Sequence, residues 1–428
     1  MTQGTHAWWQ RMGVYMAGYL ASFSTTESLQ SCIRQGLYSP LSSEKWSSAT
    51  DPTLSDFATM APGDNLYFFS NRSVYGIGEI IDIVEAGGTQ SSAVFENFPG
   101  ATTGAKAPVN ALRDSIAGYG PDNLIREGKA PVDKNGKPLN HYQRWVVLFK
   151  PSPSLYSTGV DMDDLLRSDP AAFRSTRTFE KRSFIKLDDE ENLAMKSSIV
   201  RLQLLQLRLG KTQDILSCEY SSTVSAISKS GVRLTPPDIP GLIAHSRKGD
   251  GGLKSEARLE LGTLCQLAHH DGPTEDSLGK WDYLSHQVPA SPMKSIQYMD
   301  RIDIFGYSWV QGYEGKIIDK YLVIELKKDT AGKEAITQTM KYVDWVCQEY
   351  AHGDYTRITA FTIASDFFGF SETEFASVSR RAQVVGRSGG SATIECNNLS
   401  LLKYTTDSSG HITYTPCEFP LMPSGVAV

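Results

Sequence analysis

Apolar positions fall in short aromatic and β-branched runs over the first 190 residues and at mixed strand and helix spacing after them. "DNLYFFS" (64–70) and "VYGIGEIIDIV" (74–84) flank the turn-like Asn71-Arg72-Ser73, which predicts a hairpin. "RWVVLFK" (144–150) predicts a third strand and "RSFIKL" (182–187) a fourth, while the Gly-, Pro-, Ala- and Asn-rich stretch 86–140 predicts long loops. "DDEENLAMKSSIVRLQLLQLRLG" (188–210) changes period: acids crowd its first turn, Leu and Ile recur at helical spacing, and Gly210 can end it. It predicts a helix that connects two domains, with the Pro/Gly run 230–241 as the boundary. Beyond it the pattern predicts a helix over 254–270, strands over 297–307 and 321–327, a helix over 332–350 and a strand over 357–365. That alternation implies α/β structure around a small mixed sheet.

Length and composition narrow this picture. At 428 residues the chain suits two or three domains, and 40% apolar with 21% charged residues supports a sizeable core. No apolar run reaches about 18 residues, which argues against a membrane span. "MTQGTHAWWQRMGVYMAGYL" lacks a basic stretch followed by an apolar block and does not read as a secretion signal. The six cysteines show no C-x-x-C spacing and suit reduced thiols in a cytoplasmic protein. A net charge of −6 excludes a globally basic nucleic-acid coat but not a local basic groove.

Candidate chemistry gathers at "YLVIELKKDTAGKEAITQTMKYVDWV" (321–346). A buried-type strand ends in Glu325-Leu326-Lys327, and period-2 alternation puts Glu325 and Lys327 on one face. If the preceding strand pairs antiparallel, Asp303 can lie near Glu325. Two carboxylates together repel and are costly to desolvate, a cost that a hard divalent cation removes. Lys327 beside such an ion could position water or stabilise charge on a phosphoryl group. An alternative reading is a solvated strand end with an exposed Glu and Lys. Asp300 is read as structural.

Asp303, Glu325-x-Lys327 and then Gln338-x-x-x-Tyr342 on a helix resemble the PD-(D/E)xK nuclease superfamily, in its RecB-like branch. "RIDIF…VIELKK…AITQTMKYVDWV" looks like mismatch endonucleases and related restriction nucleases. The resemblance covers about 250–405. It implies Mg²⁺, with Mn²⁺ able to substitute, held by Asp303, Glu325 and Leu326. It also implies Lys327 serving the attacking water, Gln338 and Tyr342 supporting the site, and an acidic residue from the first helix, Glu256 or Glu260. No Pro precedes Asp303, a departure from the family pattern.

"PGDNLYFFSNRSVYGIGEIID" (62–82) resembles PUA-like and EVE-like barrels, with Gly76 and Gly78 allowing close backbone approach. Domains of this group often bind modified or flipped bases, which implies an aromatic-walled pocket. Candidates are Trp8, Trp9 and Trp46, then Tyr15, Tyr19, Phe68 and Tyr75; each could equally be core. The Arg- and Lys-rich run 174–186 suits either a phosphate-contacting stripe or a solvated face. His269-His270-Asp271 is read as a helix end, since adjacent helical side chains diverge by about 100°.

The expected organisation is therefore a PUA/EVE-like β-barrel over 1–187 that reads DNA or a modified base, a helical connector over 188–240, and a nuclease domain with a mixed central sheet over 241–428. The expected activity is Mg²⁺-dependent hydrolysis of double-stranded DNA in restriction or antiphage defence, by a homodimer in the cytoplasm. The 188–210 helix could supply the dimer interface or pack within the chain. Two alternatives stay open: a Shedu-like or mismatch-specific nuclease with a regulatory N-terminal domain, and a non-catalytic DNA-binding protein.

Overall fold

The computed structural model describes residues 16–43, 50–96, 141–143, 145–177, 184–211, 215–231, 233–290, 300–313, 317–387 and 389–419. The protein is mixed α/β and divides into two compact units, Met1–Trp46 with Met60–Pro237, and Ser47–Thr59 with Asp238–Val428. The division after Pro237 lies inside the Pro/Gly run 230–241.

The first unit carries a curled half-barrel sheet. Its strand order is Leu37–Tyr38, Trp145–Asp161, Ser73–Ile80, Asn65–Ser70, Gly18–Ser22 and Phe184–Leu187, and Val94–Glu96 also pairs with Trp145–Asp161. Among the described residues the two end strands do not pair with each other, so the expected barrel is corrected to an open sheet. The Leu37–Tyr38 edge is only two residues long and is followed by Pro40, which lacks the N–H a ladder needs.

The 64–84 hairpin forms as its sequence predicts. Asn71 and Arg72 both have positive φ, 47° and 59°, the conformation that matches strand twist in a two-residue turn. In the Pro62-Gly63-Asp64 turn, Asp64 accepts from Ala17 N at 3.0 Å and Ala61 N at 2.8 Å. Gly76 has φ +119°, and a Cβ there would stand 2.9 Å from the Ser154 carbonyl. A Cβ on Gly78 would press within 3.2 Å of the Phe68 and Phe149 rings, whose centroids are 4.7 Å apart. Tyr19, Phe68 and Tyr75 are thus core residues and do not wall a cage. Trp8, Trp9, Tyr15 and Trp46 lie outside the described residues.

The helix expected as a connector, Asp189–Arg208, is built into this unit's core. Asp188 caps it, accepting from Glu191 N at 2.8 Å. Ala194, Met195 and Ile199 pack with Leu20, Tyr67, Val74 and Leu165. Its leucines face the other way: Leu193 is 66% exposed, and Leu204, Leu205 and Leu207 are each about half exposed. Within the 174–186 run, Arg174 bonds Glu190 and Asp188, and Lys186 sits 5.2 Å from the Tyr19 ring. Both cations are engaged internally, and residues 178–183 lie outside the described set.

The second unit is a six-stranded mixed sheet in the order Tyr283–Pro289, Arg301–Trp309, Ile318–Leu326, Ile358–Ala364, Leu399–Thr406 and Ile412–Pro416. The Asp303 strand (Arg301–Trp309) runs antiparallel to the Glu325 strand (Ile318–Leu326), with Ile304 opposite Ile324. Leu322, Val323 and Ile324 are fully buried, each stabilising the fold by about 1.5–3 kcal/mol. The strand is therefore a rigid mount for the charged end that follows.

The Gln338 helix (Lys333–Glu349) crosses back to the parallel strand Ile358–Ala364. It buries Ala335, Ile336, Thr339, Met340, Tyr342, Val343, Val346 and Cys347, a single helical face. Thr339 meets Thr362 at 2.7 Å and locks helix to strand.

The helix Thr50–Ala58, from a stretch expected within the first domain, belongs to this unit. It buries Leu54 and Phe57 and packs on the Glu260 helix (Glu256–Ala268). All six cysteines are free thiols, and no helix among the described residues is long and apolar enough to cross a membrane.

Candidate active site

The antiparallel register that sets Ile304 against Ile324 sets Asp303 across from Glu325 at the C-terminal end of its strand. Glu325 is 1% exposed; its Oε1 accepts from Lys327 Nζ at 2.5 Å, and its Oε2 has no hydrogen-bond partner. Asp303 Oδ2 accepts from Leu326 N at 2.8 Å, and its Oδ1 accepts from Gln287 Nε2 at 3.1 Å. Glu260 brings a third carboxylate: Oε2 accepts from the same Gln287 amide at 2.6 Å and Oε1 from His286 Nδ1 at 2.7 Å. Glu256, a turn earlier on that helix, accepts from Lys328 N at 3.3 Å.

The electrostatics are those of a site short of positive charge. Burial, then the charges of Glu325 and Glu260, hold the Asp303 carboxyl well above the usual carboxylate range. Burial pushes Glu325 up to about 7 against the pull of Lys327. Burial alone would lower the Lys327 amine, but Glu325 outweighs it, so Lys327 stays an ammonium. The same balance acts on His286. Burial favours the neutral ring, yet Asp56 at 3.0 Å and Glu260 push it up to about 10.

Gln338 donates to Tyr342 Oη at 2.8 Å, so the two residues act as one unit. Burial, with Glu325 and Asp303 nearby, raises the Tyr342 phenol. The fold thus gathers Asp303, Glu325, Lys327, Glu256 and Glu260 at one strand end, with Tyr342 within range of their charge.

Among the described residues no three His, Cys, Asp or Glu side chains form a ready-made metal cluster. A divalent ion here would rest on the Asp303 and Glu325 carboxylates, with Leu326 contributing through its carbonyl, since it has no other donor. The donor chemistry fits a hard cation: oxygen ligands, one buried carboxylate oxygen without a partner, and clustered acids whose proton affinity is raised.

Three residues here carry no signal in the linear pattern. His286 and Gln287 are neighbours on a strand and should point to opposite faces. Gln287 has φ +51°, rare for a residue with a side chain, and both side chains consequently reach Glu260. Strand alternation conceals that pair. Asp56, about 230 residues upstream of His286, is the third. His269 and His270 lie at a helix end as expected: His270 pairs with Glu275, and Asp271 caps the next helix.

No protein-family model and no curated protein matches the chain. A solved structure described as a hypothetical protein from Leishmania major is similar at 12% identity over 45% of this chain and 98% of that one. Its TM-score is 0.24, a likeness that carries no argument about fold or function.

Proposed function

We propose that the second unit is a divalent-metal-dependent endodeoxyribonuclease and that the chain is a restriction or antiphage defence enzyme. The observation that carries this reading is the convergence of Asp303, Glu325 and Lys327, backed by Glu260, on a buried strand end that lacks positive charge. A bound Mg²⁺ would supply neutralising charge for the acids and for a phosphodiester, and would lower the pKa of a water.

Asp303 and Glu325 hold the ion from two paired strands, whose burial keeps their spacing fixed. Lys327, an ammonium on a half-buried side chain, positions the water and stabilises the charge that develops on the phosphoryl oxygens. Gln338 and Tyr342 brace the opposite wall. Cutting both strands needs two such centres, so a homodimer belongs to the proposal. The exposed Leu204, Leu205 and Leu207 offer apolar surface to a second copy. The first unit is proposed as the reader of a base or DNA feature, supported by the Pro-Gly-Asp turn and the Gly76 and Gly78 packing of its curled sheet.

The test is a digest of unmodified, cytosine-modified and mismatched DNA with Mg²⁺ or Mn²⁺, run beside Lys327→Ala. Metal-dependent cutting by wild type, lost in the variant, supports the reading, and the preferred DNA identifies what the first unit reads. Metal-independent binding with no cleavage of any substrate replaces it with a non-catalytic DNA-binding protein.

A further inference from the structure

A continuous chain of side chains leads from the Thr50–Ala58 helix to the candidate centre. Asp56 Oδ1 accepts from His286 Nε2 at 3.0 Å, and His286 Nδ1 donates to Glu260 Oε1 at 2.7 Å. Glu260 Oε2 accepts from Gln287 Nε2 at 2.6 Å; the same amide reaches Asp303 Oδ1 at 3.1 Å, and Asp303 Oδ2 receives Leu326 N at 2.8 Å. His286 and Glu260 are buried, and Gln287 holds its left-handed φ, so the chain has little freedom to rearrange. A second link fastens the same two helices: Arg258 donates to Asp51 at 2.6 Å and to the Leu242 carbonyl at 3.0 Å.

We propose that Asp56 is a positioning residue of the metal-dependent centre, holding Asp303 through His286, Glu260 and Gln287. The inference rests on the nuclease reading and deepens it, because a segment from the N-terminal part of the sequence then sets the geometry of the C-terminal carboxylates. Without Asp56, His286 loses the partner on Nε2 that fixes its ring. Glu260 can then turn, and the Gln287 amide it shares with Asp303 is no longer held. Asp51 performs a different task, since its bond to Arg258 clamps helix to helix without touching the relay.

The experiment is calorimetric titration of Mn²⁺, without DNA, into the full-length protein, with thermal unfolding of each sample. Asp56→Asn is expected to keep its fold and bind Mn²⁺ about 10-fold or more weakly, the usual effect of losing an outer partner of a ligand. Gln287→Ala should weaken binding as well, and the double variant should lose less than the two single losses combined. Asp51→Asn should lower Tm while keeping wild-type Mn²⁺ affinity. Should Asp56→Asn not fold, His286→Gln carries the same comparison.

The inference is overturned if Asp56→Asn binds as tightly as wild type, if the two losses simply add, or if Asp51→Asn loses equal affinity. Wild type that binds Mn²⁺ yet cuts no DNA overturns the nuclease reading alone, and the variants still decide the relay. Wild type that binds no Mn²⁺ overturns both.

Discussion

Each unit buries a cluster of carboxylates, and the two clusters are solved differently. In the first unit Glu191 Oε1 accepts main-chain N–H groups from Arg174 at 2.6 Å, Ser175 at 2.7 Å and Thr176 at 3.4 Å. Its neighbour Asp188 caps the helix and meets Arg174. In the second unit Glu325 meets a single side-chain ammonium, while Asp303, Glu260 and Glu256 crowd close by. Both glutamates keep one buried oxygen without a partner, so an orphaned oxygen does not by itself mark a centre. The donors make the difference. Main-chain amides fix a carboxylate as part of a turn. A lysine can swing away, and clustered acids without enough cations leave a demand that a metal ion meets.

The largest expected effect separates the clusters by activity. Lys327→Ala should cut single-turnover cleavage on the order of 10³-fold, with the fold intact by circular dichroism. Unchanged cleavage would remove Lys327 from the chemistry.

Glu191→Ala should do the reverse. Leaving three main-chain donors without their acceptor is expected to cost about 3 kcal/mol in urea unfolding, with Mn²⁺ affinity unaltered. A loss of metal affinity there would erase the contrast between the clusters.

The pH dependence sharpens it further. Glu325, raised to about 7, and Asp303, raised in the same direction, give stability that is complete below their unfolded pKa values. That stability is lost as pH rises through the folded values. Glu191, raised to about 8, and Asp188, raised to about 6, act in the same sense, whereas His286, at about 10, stays charged across this window. Metal-free Tm is therefore expected to fall between pH 5 and pH 8. Because the ion takes the ionised acids, the rise in Tm caused by Mn²⁺ should grow over the same range. A Mn²⁺ effect independent of pH would contradict the assignment.

The smallest effect concerns the exposed helix face. Leu204→Ser with Leu207→Ser should change stability by no more than about 0.5 kcal/mol per site, as expected of exposed positions. It should shift sedimentation from dimer toward monomer. A wild-type protein that sediments as a monomer would assign those leucines elsewhere.

Much of the second unit was legible because period and register speak locally. The apolar run 321–324, Glu325 and Lys327 on one face, and Gln338 and Tyr342 a helical turn apart all follow from side-chain spacing. Asp303 opposite Glu325 follows once the strands are taken as antiparallel. What stayed hidden depends on contacts across long separations. The Asp189–Arg208 helix was read by its leucines, yet its buried face is Ala194, Met195, Ser198 and Ile199, and most of the leucines face outward. The Thr50–Ala58 helix lies in a stretch whose neighbours form strands of the first unit, and its membership of the second rests on Arg258 and His286, more than 200 positions away. Gln287 was invisible because one left-handed residue cancels the alternation that strand reasoning relies on. Barrel closure was equally out of reach, since it depends on how the edge strands end.

The most direct measurement is an anomalous-difference map from crystals of the full-length protein soaked in Mn²⁺. The expected result is a peak bonded to the Asp303 and Glu325 carboxylates and the Leu326 carbonyl, with Lys327 displaced from Glu325. No peak at that strand end, with Lys327 still paired to Glu325 at saturating Mn²⁺, would contradict it.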